Sequence, residues 1–251
     1  MRVGVLASGS GTILQAMLDR KLPIVVVLAD RPCGALGIAE DAGIGAELME
    51  RTDFGPSFDR VAYTKEVVAA LERHDVDLVA IAGFGTILSE PFVDSFGARA
   101  VNTHPALLPA FKGWHAVRDA LAAGVKVTGC TVHLVTEDVD SGPILAQEAV
   151  PVLDDDTEET LHERIKAVER RLFPDAIEGR AEVGALHQLG TDSGVFGNPE
   201  CPARTIGEHY HDGQFSLEHR LEDRATPGSE DADPHARTLA GASRRWAAQI
   251  P

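Results

Sequence analysis

The 251-residue chain is long enough for one large or two small domains. With 39 acidic against 23 basic side chains, a formal charge of −16 excludes a broad electrostatic surface for nucleic acid or an anionic membrane. No run of about 18 apolar residues exists, so no membrane span is expected, and three scattered cysteines, Cys33, Cys130 and Cys201, point to a reducing, cytoplasmic setting rather than a disulfide framework.

Arg2–Ala7 reads as a strand that runs into a Gly/Ser loop, Ser8–Gly11, and then a helix, Thr12–Arg20. The apolar stretch before that loop is too short for a signal peptide. Pro23–Ala29 is a continuous apolar run, the pattern of a strand buried on both faces. Leu36–Ala42 has helical spacing, Ala46–Met49 reads as a short strand and Phe58–Arg73 as a helix. Leu78–Ala82 is another buried strand, Pro91–Phe96 a short helix with Pro in its first turn, and Arg99–Thr103 a strand. Trp114–Ala123 reads as a helix closed by Gly124, Thr128–Val135 alternates as a strand, and Ile144–Val152 is a further strand. Asp156 or Thr157 caps a long helix that reaches about Phe173 and carries acidic residues in its first turn.

Strands and helices alternate through the first hundred residues. That predicts an α/β fold, an open, mostly parallel twisted sheet flanked by helices and Rossmann-like in outline. Ligands of such sheets bind outside the carboxyl ends of the strands. Residues 1–178 are expected to form this domain, and 179–251 an atypical polar C-terminal tail. From Arg180 onward there is no Lys and strong periodicity is lost. Thr226–Ala236 reads as a solvated, disordered stretch, and Leu239–Ile250 is compatible with one short helix. A small appended module and a reading-frame artefact stand as alternatives for this tail.

Four segments carry candidate chemistry. Ala7–Met17, ASGSGTILQAM, is a strand, glycine loop and helix whose free N–H groups suit an anion. It lacks the Lys of a Walker loop and the spacing of a dinucleotide loop, so alone it reads as a structural tight turn. Ala82–Leu88, AGFGTIL, follows a buried strand and is equally an exposed-backbone ring site or an ordinary turn. Val101–Val117 contains Asn102 and His104, alternate residues of an extended segment whose side chains share a face, with Pro105 holding His104 out of helical geometry. Val135–Leu145 supplies Asp140 before a Ser-Gly-Pro turn. An amide, an imidazole and a carboxylate beside turns are the groups needed to move an acyl group onto an amine. His133, in an alternating strand, is expected to be a packed or hydrogen-bonded histidine, and His115 to open a helix at the rim. His209, His211 and Cys201 lack a second pair of ligands, so no metal site is expected.

VLASGSGTILQA, NTHPALLPAFKG and TGCTVHLVTEDVDSGPILAQ together resemble the folate-dependent formyltransferases, over about Arg2–Phe173. The resemblance is strongest to the branch that passes a formyl group from 10-formyltetrahydrofolate to the amino group of glycinamide ribonucleotide in de novo purine biosynthesis. It implies catalytic roles for Asn102, His104 and Asp140. It implies a glycinamide ribonucleotide site at Gly9, Ser10, Gly11, Thr12, Ile13 and Glu169. The implied folate site comprises Arg60, Gly85, Thr86, Ile87 and Leu88, with Asn102 and the segment Thr136, Glu137, Asp138, Val139, Asp140. The partners implied are these two small molecules, with no nucleic acid, membrane or metal, and a monomer or homodimer. Two departures stand out: Thr12-Ile13 replaces a common Ser-Asn, and Gly85-Thr86 a common Met-Arg. The chief alternative is a formyltetrahydrofolate hydrolase using the same trio on water. Formyltransferases acting on methionyl-tRNA or sugar nucleotides would need a recognition domain, and a binding-only protein would not need the intact trio.

Overall fold

The computed structural model describes residues 1–190, with side chains described as far as Arg180. Cys201, His209, His211, the Thr226–Ala236 stretch and the Leu239–Ile250 helix expectation lie outside the described residues. The described residues all belong to one compact unit.

The elements in chain order are β1 (Val3–Ala7), α1 (Thr12–Asp19), β2 (Ile24–Ala29), α2 (Gly34–Asp41), β3 (Gly45–Leu48), α3 (Arg60–Arg73), β4 (Leu78–Ile81) and α4 (Glu90–Phe96). After one 3-10 turn come β5 (Ala100–His104), α5 (Ala116–Ala122), β6 (Val127–Leu134), β7 (Ile144–Pro151) and α6 (Glu158–Gly190). The seven strands form one sheet in the order β3-β2-β1-β4-β5-β6-β7. Pairings from β3 to β5 are parallel, and β6 and β7 add antiparallel strands at one edge. The chain winds outward from β1 to β3, then returns to lay β4 on the other side of β1. That reversal opens a crevice beyond the carboxyl ends of β1 and β4, where open α/β sheets take ligands.

Alternation along β1 explains the two faces. Val3, Val5 and Ala7 meet Leu14 and Met17 of α1 and Phe173 and Ile177 of α6. Leu6 joins Val67 and Leu71 of α3 and Phe92 and Phe96 of α4 on the other side. Under the antiparallel edge, Val117 of α5 packs with Cys130, Val150, Leu161 and Ile165. No described helix is long and apolar enough to cross a membrane.

The structure shifts several helix boundaries, α2 beginning at Gly34 rather than Leu36. α3 begins at Arg60 rather than Phe58, because the Asp59 side chain accepts from Ala62 N–H at 2.9 Å and caps it. α5 begins at Ala116 rather than Trp114, since Gly113 sits at φ 91° and His115 is not helical. The largest correction is α6. Thr157 accepts from Thr160 N–H at its start, as one expectation had it, but the helix runs past Phe173 and Pro174 to Gly190. An internal proline removes one N–H and crowds the preceding turn. Here Phe173 and Ile177, four residues apart and both fully buried, hold the turns on either side of Pro174 onto the sheet. Tertiary packing outweighs the local penalty, and the expected boundary at 178/179 falls within this helix.

Candidate active site

β5 delivers Asn102 and His104 to one face of the sheet, with Thr103 turned to the other. β6 runs antiparallel beside it and sets His133 opposite Asn102 and Thr131 opposite His104. Thr131 organises the turn that follows. Its hydroxyl donates to Ala106 O at 2.6 Å and accepts from Leu108 N–H at 3.0 Å. Gln147 of β7 donates to that hydroxyl at 2.9 Å and to Leu108 O at 2.8 Å. The loop leaving His104 is therefore pinned by two neighbouring strands.

The β6–β7 loop brings Asp140 back over His104. Gly142 passes so close to Leu134 that a Cβ would overlap its carbonyl oxygen, and Asp140 takes a left-handed φ of 51°. Asp140 Oδ2 accepts from Gly113 N–H at 2.8 Å and lies 3.3 Å from His104 Nδ1. Its Oδ1 lies 3.5 Å from His133 Nε2. Lys112 Nζ donates to Ser141 Oγ at 2.8 Å and ties the same two loops at their surface.

Both partners of the His104–Asp140 pair are buried, their side chains 6% and 8% exposed. Burial pushes the Asp140 carboxyl up, but the hydrogen bond from Gly113 N–H and the neighbouring His104 imidazole hold it below the usual aspartate value. The carboxyl is thus an anion at neutral pH. His104 Nε2 lies 2.8 Å from Phe111 O, which can only accept, so Nε2 carries a proton. Nδ1 is the nitrogen that faces the carboxylate, and a proton there makes the ring an imidazolium paired with an anion. Asn102 Nδ2 lies 3.1 Å from His133 Nε2. The structure thus brings Asn102, His104 and Asp140 together at one end of β5. It adds His133, which the sequence reading left as a packed or hydrogen-bonded side chain.

Residues 1–177 match the family described as Formyl transferase. The chain belongs to the formyl transferase family. A phosphoribosylglycinamide formyltransferase of Mycobacterium tuberculosis is 50% identical over 188 residues, covering 73% of this chain and 86% of that one. The trifunctional purine biosynthetic protein adenosine-3 of Gallus gallus is 43% identical over 200 residues, which are 75% of this chain and 20% of that one. Among solved structures, glycinamide ribonucleotide transformylase 1 of Symbiobacterium toebii superposes with a TM-score of 0.66 at 47% identity, over 70% of this chain and 85% of that chain. Phosphoribosylglycinamide formyltransferase of Bacillus halodurans gives 0.65 at 37% identity, over 77% and 97%.

The formyl transferase fold also locates the remaining candidate residues. Gly11, at φ 79°, leads into α1, whose start has no side-chain cap and no acidic residue in its first turn. The first-turn N–H groups are thereby left for an anion. Ile13 packs against the core, so at that position only backbone faces the loop. Ser8 ties this loop to the one after β4: its N–H donates to Gly83 O at 2.9 Å and its Oγ accepts from Gly85 N–H at 2.6 Å. Thr86 is buried and its hydroxyl donates to Asp30 Oδ2 at 2.8 Å. Ile87 is half exposed. Leu88 lines a shallow hollow with Glu137. Thr136, Glu137 and Asp138 line an adjoining open cleft of about 650 Å³ with Val93, Gly97, Leu134 and Pro143. Val139 is exposed beside it, and Arg60 is exposed at the first turn of α3. Glu169 sits across β5 from the trio, where Thr103 Oγ1 donates to it at 3.0 Å. Burial pushes its carboxyl above the usual glutamate range.

Proposed function

We propose that this formyl transferase moves a formyl group from 10-formyltetrahydrofolate to the amino group of glycinamide ribonucleotide in the cytoplasmic synthesis of purines. The observation that carries the reading is the buried His104–Asp140 pair beside Asn102, at the carboxyl end of β5, on the same edge of the sheet as the glycine loop after β1. The identity to phosphoribosylglycinamide formyltransferases supports the choice of acceptor.

The acceptor is an amine with an ordinary pKa of about 8, so no enzyme nucleophile is required. As the amine nitrogen bonds to the formyl carbon, negative charge gathers on the formyl oxygen. The bond from that carbon to the folate nitrogen then breaks, and the proton lost by the amine ends on the folate nitrogen. Asn102 has an N–H for the developing oxyanion, an interaction worth on the order of a hundred- to a thousandfold in rate. His104 stabilises the same charge as an imidazolium and carries the proton between the two nitrogens. Asp140 holds that imidazolium by its charge and aims it from a loop locked by the Gly113 N–H. The nucleotide phosphate is taken by the Gly9–Ile13 backbone, with Glu169 near the nucleotide. The folate lies along Gly85–Leu88 and Thr136–Asp140, with Arg60 reaching its tail.

Consumption of 10-formyltetrahydrofolate measured with and without glycinamide ribonucleotide tests the reading. Turnover that requires the nucleotide and yields its formylated product is expected. Equal turnover without it would identify a hydrolase instead.

A further inference from the structure

We infer that His133 is a positioning residue that sets which way the Asn102 carboxamide faces. The inference rests on the proposed transfer reaction and adds a residue to its machinery. The two side chains face each other across the β5–β6 pairing, in direct register. His133 is nearly fully buried and both ring nitrogens have partners. Nδ1 lies 2.8 Å from the carbonyl oxygen of Leu134, an atom that can only accept. A ring with a single proton therefore carries it on Nδ1, and its Nε2 is bare. A bare Nε2 can only accept, so the atom of Asn102 opposite it, 3.1 Å away, must be the amide nitrogen.

The consequence is geometric. One N–H of Asn102 is spent on His133, and the carboxamide is locked with its second N–H available to the reacting carbonyl oxygen. The reversed carboxamide would oppose its oxygen to a bare ring nitrogen, which is repulsive and leaves the buried nitrogen unsatisfied. Nε2 has one other neighbour, Asp140 Oδ1 at 3.5 Å. A ring protonated on Nε2 would donate there, and Asn102 could keep its contact only by turning its oxygen inward. The oxyanion donor would then be withdrawn. The Leu134 carbonyl, by holding the proton on Nδ1, keeps the donor in place. Backbone, histidine and asparagine form a chain of fixed polarity that ends in the site.

The test uses the whole chain. His133→Gln carries an oxygen near the position of Nε2 and keeps an acceptor for Asn102. His133→Leu has comparable bulk and none. His133→Leu is expected to lose about tenfold or more in kcat, within the worth of one oxyanion donor, with KM for both substrates within about twofold. His133→Gln is expected to recover most of that loss. In an Asn102→Ala background, His133→Leu is expected to change kcat less than about twofold, because its effect passes through Asn102. An equal loss in both backgrounds, or no recovery by glutamine, would overturn the assignment. Nitrogen-15 NMR of the unmodified protein gives a check independent of folding of the variants and of turnover. A ring protonated on Nδ1 and bare on Nε2 at neutral pH is expected, and a proton on Nε2 would refute the arrangement. Absence of nucleotide-dependent transfer in the unmodified protein would instead strike the proposed function.

Discussion

At the scale of single residues, the two buried carboxyls behave oppositely. Asp140 is held below its usual value, whereas burial pushes Glu169 above its own. A depressed carboxyl contributes stability that is full above the unfolded value of about 4 and is lost as pH falls through the folded one. A raised carboxyl does the reverse: its cost to stability is absent below the unfolded glutamate value of about 4.3, grows as pH rises from there, and is full above the folded value. Glu169→Gln is therefore expected to raise the denaturation midpoint at pH 8, with the gain shrinking to nothing near pH 4, in urea titrations across that range. A gain that persisted unchanged at pH 4 would assign the effect to packing. Asp140→Asn is expected to cut kcat by on the order of a hundredfold or more while leaving substrate affinity within a few-fold, if it holds His104 in the proposed geometry. Steady-state kinetics and direct binding separate the two, and intact turnover with lost affinity would contradict that role. His133 belongs to the same scale. Its local alternation was plain, but its importance depends on the residue across the strand pair.

At the scale of elements, the β6–β7 loop and α6 carry the arguments. The loop brings Asp140 to His104 only because Gly142 can pass against the Leu134 carbonyl. Gly142→Ala is expected to displace Asp140 and lower kcat at least about tenfold, approaching the Asp140→Asn loss, with the sheet retained by circular dichroism. Unchanged kcat would show that the loop absorbs the methyl group elsewhere. α6 is a lesson in local against tertiary preference. Pro174 marked its end in the sequence, yet buried Phe173 and Ile177 on either side draw both turns onto the sheet. Removing Ile177 by Ile177→Ala is expected to cost about 2–5 kcal/mol in chemical denaturation. A cost under about 0.5 kcal/mol would mean that the turn beyond Pro174 contributes little to the core.

At the scale of the molecule, β1, β4 and β5 are consecutive neighbours in the sheet, so their terminal loops converge on one crevice. Ser8 holds two of those loops together through Gly83 and Gly85. A chain ending at Gly190 is expected to keep nucleotide-dependent turnover and melt cooperatively. One ending at Pro174 would lose Ile177 from beneath β1 and melt at a lower temperature. Equal melting of the two would place the stabilising core wholly before Pro174.

The sequence by itself determined the element types and the parallel core of the sheet, through continuous apolar runs and helical spacing. It also singled out Asn102, His104 and Asp140 as candidates, because their chemistry and turn contexts are local. The family was legible from three separated motifs. Other features exist only in three dimensions. Strand register sets His133 against Asn102, a contact 31 positions apart that no local pattern encodes. Glu169 falls on the α6 stripe of Leu161, Ile165, Phe173 and Ile177, so its burial follows the helical spacing, but its partner Thr103 is supplied only by the packing of α6 on β5. The continuation of α6 beyond Pro174 follows the same logic. A residue's intrinsic preference is a local quantity, whereas burial and cross-strand partners are properties of the packed whole.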